Sequence, residues 1–369
     1  MGQRIAAFTD TYLPTVNGVT YSISDVRERW RELGERMDVV FPDSSAYDPE
    51  PGEHPVRSVP FPFYDGYRLG APRIPESLPA VDVVHAHTPF AVGLAATRFA
   101  RRTDAPLVAT YHTPAGEYAP YLAPLEGLSS PIARLTTRYE RRFYDRADLV
   151  CVPSEWGRRQ LEDRLGVSTP TRVVPNGVDT TRFRPVDATA FRERYDLEGT
   201  LVGYTGRHSR EKNLEELLYA AAGLEDATLV LSGDGPARPA LEAASGTLDL
   251  EVRFLGMLER SELPAFYAAL DAFGFPSPVE TQGLVALEAI ACGTPVVAAR
   301  AGALVETVAD GRTGYHYPPG DTRAFRRALQ RALTERGRLE ATCLARREEI
   351  SLSAAATRLR EVYAGLEGG

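Results

Sequence analysis

Apolar and polar positions alternate along the chain in two ways that take turns. Short apolar runs bounded by Gly, Pro, Asn and Asp read as strands, and longer stretches with apolar residues at helical spacing read as helices. In the first half, runs at 4–8, 37–41, 56–59, 83–85, 107–111, 149–152 and 172–174 predict strands, and 18–33, 90–102 and 129–146 predict helices. After a turn-rich segment at 175–185 the rhythm resumes: strands at 201–205, 228–232, 252–255 and 296–299, with helices at 188–195, 214–222, 284–292 and through 322–367. Strands alternating with helices predict α/β architecture, a doubly wound parallel sheet in each half, with ligands at the carboxyl ends of the strands.

One stretch carries more chemistry than the rest. Pro276 and Pro278 exclude regular structure, Gly283 permits a tight turn, and a helix from Leu284 leads through Gly293-Thr294-Pro295 into the buried run at 296–299. The first turn of such a helix offers backbone N–H groups and a positive dipole end to a phosphate. Glu280 stands before that turn and Glu288 about two turns into the helix. Carboxylates accept hydrogen bonds from sugar hydroxyls, so a phosphate flanked by two polyols, as in a nucleotide-sugar, suits the layout. The plainer alternative, an acidic helix start favoured by the dipole, stays open on spacing alone.

Composition narrows the class. A chain of 369 residues exceeds one comfortable core, and 43% hydrophobic with 25% charged residues is ordinary for a globular enzyme. The net charge of −8 argues against a nucleic-acid partner. No apolar run approaches the roughly 18 residues of a membrane span, and the first ten residues show no secretory pattern, so a cytoplasmic enzyme is expected. Cys151, Cys292 and Cys343 are scattered in apolar or helical contexts, as buried thiols would be. Lys212 is the only lysine among 42 basic residues, which marks a place where a compact ammonium is needed or else a chance survivor of a drift to Arg.

Several strand-to-helix loops hold candidate groups, each with a structural alternative. Asn17-Gly18 lets backbone approach an anion, or is an ordinary turn. His85 and His87 follow a strand; alternate spacing places them on opposite faces of an extended segment, which argues against metal chelation. His112 ends another strand, where a structural role is also common. Arg207 and Lys212, five apart in a loop, suit a diphosphate, or form a solvated charged loop. The turn at 233–236 needs no ligand to explain it.

Glu280, seven residues, Glu288, with Gly283-Leu284 after the first and Glu288-Ala289 at the second, resembles the signature of retaining GT-B glycosyltransferases of family four. Phe8 to Val19, Tyr111-His112-Thr113, the 175–185 connector, Arg207 with Lys212, and Gly233 to Pro236 resemble the family's other landmarks in the same order. The resemblance implies two Rossmann-like domains facing across a cleft: 1–177 on the acceptor side and 178–352 binding the nucleotide-sugar, with a last helix in 353–369 packing back on the first. It implies that Glu280 contacts the donor sugar, with Gln282 beside it, that the Gly283 and Leu284 amides hold the distal phosphate, and that Glu288 binds the ribose. By the same resemblance Arg207 and Lys212 neutralise the leaving diphosphate, and Gly18 faces the donor phosphate. His112 sits by the donor sugar, and Met257 with Leu258 meets the nucleobase through backbone. The family often has Gly-Gly where this chain has Asn17-Gly18, so only Gly18 is carried over.

The implied reaction moves a hexose from a UDP- or GDP-linked donor to an acceptor hydroxyl with retention and without a cofactor. No Asp-x-Asp occurs, so no metal clamp is indicated. Segments 280–283 and 111–118 look most like the lipid-glycosylating branch, the diacylglycerol glucosyltransferases and sulfoquinovosyltransferases. A glycerolipid acceptor and a peripheral membrane position are therefore expected. Arg134, Arg138, Arg141 and Arg142 share one helix face, and Arg98, Arg101 and Arg102 form a second basic patch, which suits an anionic leaflet, although Glu140 and Asp145 dilute the first. The alternatives are a saccharide acceptor, a sugar-nucleotide epimerase, and a non-catalytic nucleotide-sugar-binding protein.

Overall fold

Period-two alternation in the first strand already sorts side chains to two faces of a sheet. In β1 (Arg4–Phe8), Ala6 and Phe8 enter one core with Val84, Val92 and Phe99, while Ile5 and Ala7 enter another with Ile23, Trp30 and Met37. A strand buried on both faces belongs inside a parallel sheet. The structure, a computed structural model, describes residues 2–61, 67–112 and 129–366, with backbone only for 129–133.

The chain forms two compact units, residues 1–177 with 352–369, and 178–351. In the first, β2 (Arg36–Pro42), β3 (Glu53–Val56), β6 (Val83–Ala86), β7 (Leu107–Thr110), β8 (Leu149–Val152) and β9 (Thr171–Val173) join β1 in the order β3-β2-β1-β6-β7-β8-β9, with every pair parallel. Between β3 and β6 an antiparallel pair, β4 (Ser58–Pro60) and β5 (Arg68–Gly70), is inserted. In the second unit, β10 (Thr200–Thr205), β11 (Ala227–Ser232), β12 (Glu251–Gly256), β13 (Ala272–Phe275), β14 (Val296–Ala299) and β15 (Gly314–Tyr317) run β12-β11-β10-β13-β14-β15, also parallel. Both units are thus Rossmann-like doubly wound sheets. Their strand order reverses beside β1 and beside β10, and crevices for ligands open at such reversals.

The structure departs from expectation at several strands, β13 (Ala272–Phe275) among them. The run at 56–59 is not one strand: β3 begins earlier, at Glu53, and the chain then leaves for β4. Hydropathy missed the start because Glu53 and His54 are buried through partners. Glu53 meets Arg27 at 2.8 Å and the Tyr47 hydroxyl at 2.8 Å, and His54 meets Asp38 at 2.9 Å. The strand Gly314–Tyr317 was also unforeseen, its apolar character being confined to tyrosines around His316. The final helix, Leu352–Ala364, puts Ala356, Leu359 and Tyr363 into the core shared by Trp30 and Met37. Burying a residue as large as Tyr363 stabilises by roughly 2–3 kcal/mol, enough to hold a short terminal helix in place.

Candidate active site

In the second unit, the loops after β10 and β13 flank the reversal and meet. β10 runs through Gly206 and Arg207 into a short turn, Arg210–Lys212, and Asn213, in the left-handed region at φ 51°, starts the helix Leu214–Ala221. The loop is braced from β11: the His208 amide donates to the Asp234 carbonyl at 2.8 Å, and a Cβ at Gly233 would fall 2.0 Å from the Gly206 carbonyl oxygen. Only glycine permits that approach, so the 233–236 turn has a structural reason to exist. Held this way, Lys212 places Nζ 2.6 Å from Glu280 Oε1, with the two side chains 17% and 12% exposed. Arg207 is half-buried in the same loop.

Glu280 is fixed through its backbone, its carbonyl accepting from the Ala303 amide at 3.0 Å. Gln282 is buried, and its carbonyl accepts from the Thr307 hydroxyl. Gly283 sits at φ 82°, and a Cβ there would lie 2.8 Å from both Phe275 and Leu304. It opens the helix Leu284–Ala291, which no side chain caps. That helix is covered on nearly all sides, which explains its apolar sequence and isolates Glu288. Glu288 is buried, and its Oε2 accepts from the Tyr267 hydroxyl at 2.7 Å. Burial and this carboxylate push the Tyr267 hydroxyl pKa far up. Tyr267 is in turn held by Thr294, whose hydroxyl donates to its carbonyl at 2.7 Å. Met257 is exposed and Leu258 half-buried just after Gly256, whose carbonyl accepts from the Gly233 amide at 2.7 Å. The Met257 segment therefore rests on the same turn that braces Arg207 and Lys212.

In the first unit Gly18 is the exposed first residue of the helix Gly18–Glu32, and it is not among the glycines with left-handed φ. Asn17 does the anchoring: its Oδ1 accepts from the Thr20 amide at 3.0 Å and its Nδ2 donates to the Thr11 hydroxyl at 2.6 Å. An Asn ahead of a helix is an N-cap signal, which the expectation for this loop overlooked. Asp10, also unforeseen, joins the loops after β1 and β6. It accepts from the Thr88 hydroxyl at 2.6 Å and the Val92 amide at 2.9 Å, and burial raises its pKa despite these bonds.

His112 lies in a stack of three imidazoles. The rings of His85 and His87 stack at 4.0 Å, those of His87 and His112 at 5.3 Å, and His87 Nδ1 is 3.0 Å from His112 Nε2. This corrects the expectation that His85 and His87 lie on opposite faces: β6 ends at Ala86, so strand alternation no longer governs His87. His85 is bound at Nδ1 by the Tyr363 hydroxyl and at Nε2 by the Thr110 hydroxyl, each at 2.6 Å. Burial lowers all three pKa values, His85 to about 3, His112 to about 4, and His87 well below its ordinary value. Residues 113–118 of the expected sugar-side segment lie outside the described residues. Among the described residues no His, Cys, Asp and Glu cluster is arranged to hold a metal ion.

On the helix Ser129–Tyr144, Arg134, Arg138, Arg141 and Arg142 are exposed together with Leu135 and Tyr139. Glu140 is only 2% exposed and does not dilute this face as expected. Asp145 does, pairing with Arg141 at 3.4 Å. Among the described residues no helix is long and apolar enough to cross a membrane. The three cysteines are free and buried.

Paired doubly wound units of this kind recur in known proteins. The description Glycosyltransferase Family 4 matches residues 16–182, and Glycosyl transferases group 1 matches residues 187–348. The chain is 32% identical over 316 residues to the alpha-monoglucosyldiacylglycerol synthase of Streptococcus pneumoniae, covering 80% of this chain and 70% of that one. It is 31% identical over 378 residues to the sulfoquinovosyl transferase SQD2 of Arabidopsis thaliana, covering 97% and 72%. It is 32% identical over 348 residues to a GDP-mannose-dependent alpha-mannosyltransferase of Mycolicibacterium smegmatis, covering 90% and 88%. The fold matches that of sucrose-phosphate synthase from Thermosynechococcus elongatus with a TM-score of 0.82 at 24% identity, covering 99% of each chain. The fold is GT-B. The chain belongs to glycosyltransferase family four, and it is similar to lipid-glycosylating members of that family.

Proposed function

We propose that this glycosyltransferase moves a hexose from a nucleotide diphosphate sugar to a membrane glycerolipid hydroxyl, retaining anomeric configuration. The observation that carries the donor half is the 2.6 Å contact of Lys212 with Glu280. Where a diphosphate joins a sugar, a phosphate-directed cation and a sugar-directed carboxylate must be neighbours, and these two are. Lys212 and Arg207 neutralise the leaving diphosphate, the Gly283 and Leu284 amides hold its distal phosphate, and Glu280, beside Gln282, orients the sugar. Glu288, held by Tyr267, accepts the ribose hydroxyls, and the Met257–Leu258 segment meets the base. From the first unit, His112 binds the donor sugar and the Gly18 helix start faces the phosphate. Fixed cations do the charge stabilisation that a metal would otherwise provide, so the reading requires neither metal nor cofactor.

The lipid half is supported by the exposed face of Arg134, Arg138 and Arg142 with Leu135 and Tyr139. Each cation near an anionic leaflet contributes about 1 kcal/mol. The enzyme then works from the cytoplasmic face of the membrane. A water-soluble saccharide acceptor is the second reading, favoured by the Asp145 carboxylate that already neutralises Arg141.

The test combines UDP-, GDP- and ADP-sugars with liposomes containing diacylglycerol and graded anionic lipid, at low and high salt. Transfer to lipid, with sedimentation that grows with anionic content, is expected. No sedimentation in any mixture, together with transfer to a soluble sugar, overturns the lipid reading.

A further inference from the structure

The segment that carries Arg207 is tied to the turn after β11 on both sides of the arginine. The Ser232 carbonyl accepts from the Gly206 amide and from His208 Nε2, each at 3.2 Å. Arg207 therefore lies between two residues bonded to the same oxygen. His208 adds two backbone contacts: its amide donates to the Asp234 carbonyl at 2.8 Å, and its carbonyl accepts from the Ala237 amide at 2.9 Å. The tie continues to β12, where the Ser232 hydroxyl at 3.3 Å and the Gly233 amide at 2.7 Å both reach the Gly256 carbonyl.

These contacts fix the protonation of the ring. A carbonyl only accepts, so Nε2 carries the hydrogen, and Nδ1 is a bare lone pair in the neutral ring. His208 is buried, and its Nδ1 has no hydrogen-bond partner among the described residues. A second proton would put an N–H there with no acceptor and a charge out of water. Asp234, Arg238 and Glu242 act on the ring from the turn and from the helix Arg238–Ser245, but Arg238 already pairs with both carboxylates, at 3.8 and 2.8 Å. From β10 and β12 the rings of Tyr204 and Phe254 face it at 6.5 Å. Burial thus lowers the His208 pKa and keeps the ring uncharged at neutral pH. An apolar residue would fill this space without an orphaned nitrogen; what histidine adds is the Nε2–H bond beside Arg207.

We propose that His208 is a positioning residue whose uncharged ring and backbone pin the Arg207 segment to the turn after β11, so that Arg207 and Lys212 meet the donor diphosphate as fixed cations. The proposal rests on the assignment of those two cations to the diphosphate. It has a consequence for pH. In an opened loop the ring returns toward a pKa of about 6.5, so the closed loop is fully favoured above that pH and loses ground as pH falls toward the depressed value.

The test reads loop closure apart from affinity in three proteins. His208→Leu fills the space without the Nε2–H bond, and His208→Gln offers an amide N–H near the place of Nε2–H and does not titrate. At pH 7.5, hydrogen exchange of the ligand-free proteins, followed by mass spectrometry, should be faster over 206–212 in His208→Leu than in the wild type. Calorimetry with UDP, GDP and ADP should show the nucleotide that binds held about 5-fold more weakly, the scale of one net hydrogen bond. His208→Gln should match the wild type in both. Between pH 7.5 and 5.5 the ratio of the wild-type Kd to that of His208→Gln should rise about 3-fold or more, and the ratio cancels the ionisation of the diphosphate itself. A flat ratio overturns the proposal, whether or not His208→Leu folds. Unchanged exchange in a folded His208→Leu also overturns it. Faster exchange with unchanged affinity locates the failure in the assignment of Arg207 and Lys212 to the diphosphate, and the proposal falls with that assignment.

Discussion

Glu280→Gln should have two opposite effects: tighter binding of free nucleoside diphosphate and slower sugar transfer. In the free protein the Lys212 ammonium spends one of its donors on Glu280 at 2.6 Å, in a setting where neither side chain is more than 17% exposed. At an effective dielectric of about 20, unit charges this close attract by about 6 kcal/mol, an upper bound because both ions have lost water. A charge-assisted hydrogen bond nets about 1.5–3 kcal/mol. An incoming diphosphate must either compete for the ammonium or bind beside a carboxylate of its own sign. The isosteric amide removes the negative charge and keeps the shape, so recovering half of that interaction gives about 0.8–1.5 kcal/mol, a Kd lower by roughly 4- to 10-fold. Titration calorimetry with UDP, GDP and ADP on both proteins measures it, and the gain should shrink as salt is raised. Turnover with the nucleotide-sugar should meanwhile drop, because the amide presents an N–H where the sugar hydroxyls need an acceptor. Lys212→Ala is the reciprocal control, losing affinity and roughly 100-fold in turnover. If Glu280→Gln binds every nucleoside diphosphate no better than wild type, Lys212 is not the phosphate cation and the donor assignment fails.

Three further outcomes follow from other contacts. Tyr267→Phe removes the hydroxyl donor from the buried Glu288 carboxylate, so urea unfolding should show a loss of about 1–3 kcal/mol and calorimetry weaker diphosphate binding; unchanged values in both would remove Tyr267 from the site. His85, His87 and His112 have native pKa values below those of the unfolded chain, so their contribution to stability is complete above about pH 6.5 and is lost as pH falls toward their depressed native values. The urea midpoint should therefore fall between pH 6.5 and 5 with none of these rings titrating by NMR, and a ring that titrates near pH 6.5 would contradict the burial. Leu135→Asp combined with Arg138→Glu should abolish sedimentation with anionic liposomes while soluble diphosphate binding persists; undiminished sedimentation would place the membrane surface elsewhere.

The alternation of strand and helix was legible in the sequence because both sheets are parallel and covered on two faces, so their strands are apolar runs between turn formers. It failed where burial was achieved by pairing instead of by hydrophobicity. Glu53 looks like a surface residue, yet it is enclosed by Arg27, Tyr12 and Tyr47. Lys212 and Glu280 lie 68 residues apart, and no local pattern announces that they touch. Tyr267 and Thr294 were invisible for the same reason, since they act on Glu288 across the fold. The histidine stack was misread because alternation was extended one residue past the end of β6. Asn17 is different: as an Asn directly ahead of a helix it carries an N-cap signal that is legible in the sequence.

The lone lysine acquires a physical reason from these contacts. Everywhere else the chain uses arginine for positive charge, including the buried Arg27 between Glu50 and Glu53. A guanidinium holds its donors in one plane and suits a fork of fixed oxygens. At position 212 the cation emerges from a short turn, meets a carboxylate on one side, and in the proposed reaction must also meet phosphate oxygens whose charge grows as the sugar leaves. An ammonium directs three donors around one compact centre, so it can keep Glu280 and gather phosphate without turning a plane away from either. In the proposed reaction the Lys212–Glu280 contact competes with diphosphate in the free enzyme, yet it also keeps a sugar-directed carboxylate and a phosphate-directed cation in register as negative charge gathers on the leaving diphosphate. On that proposal the contact weakens the hold on the leaving diphosphate and so favours its release.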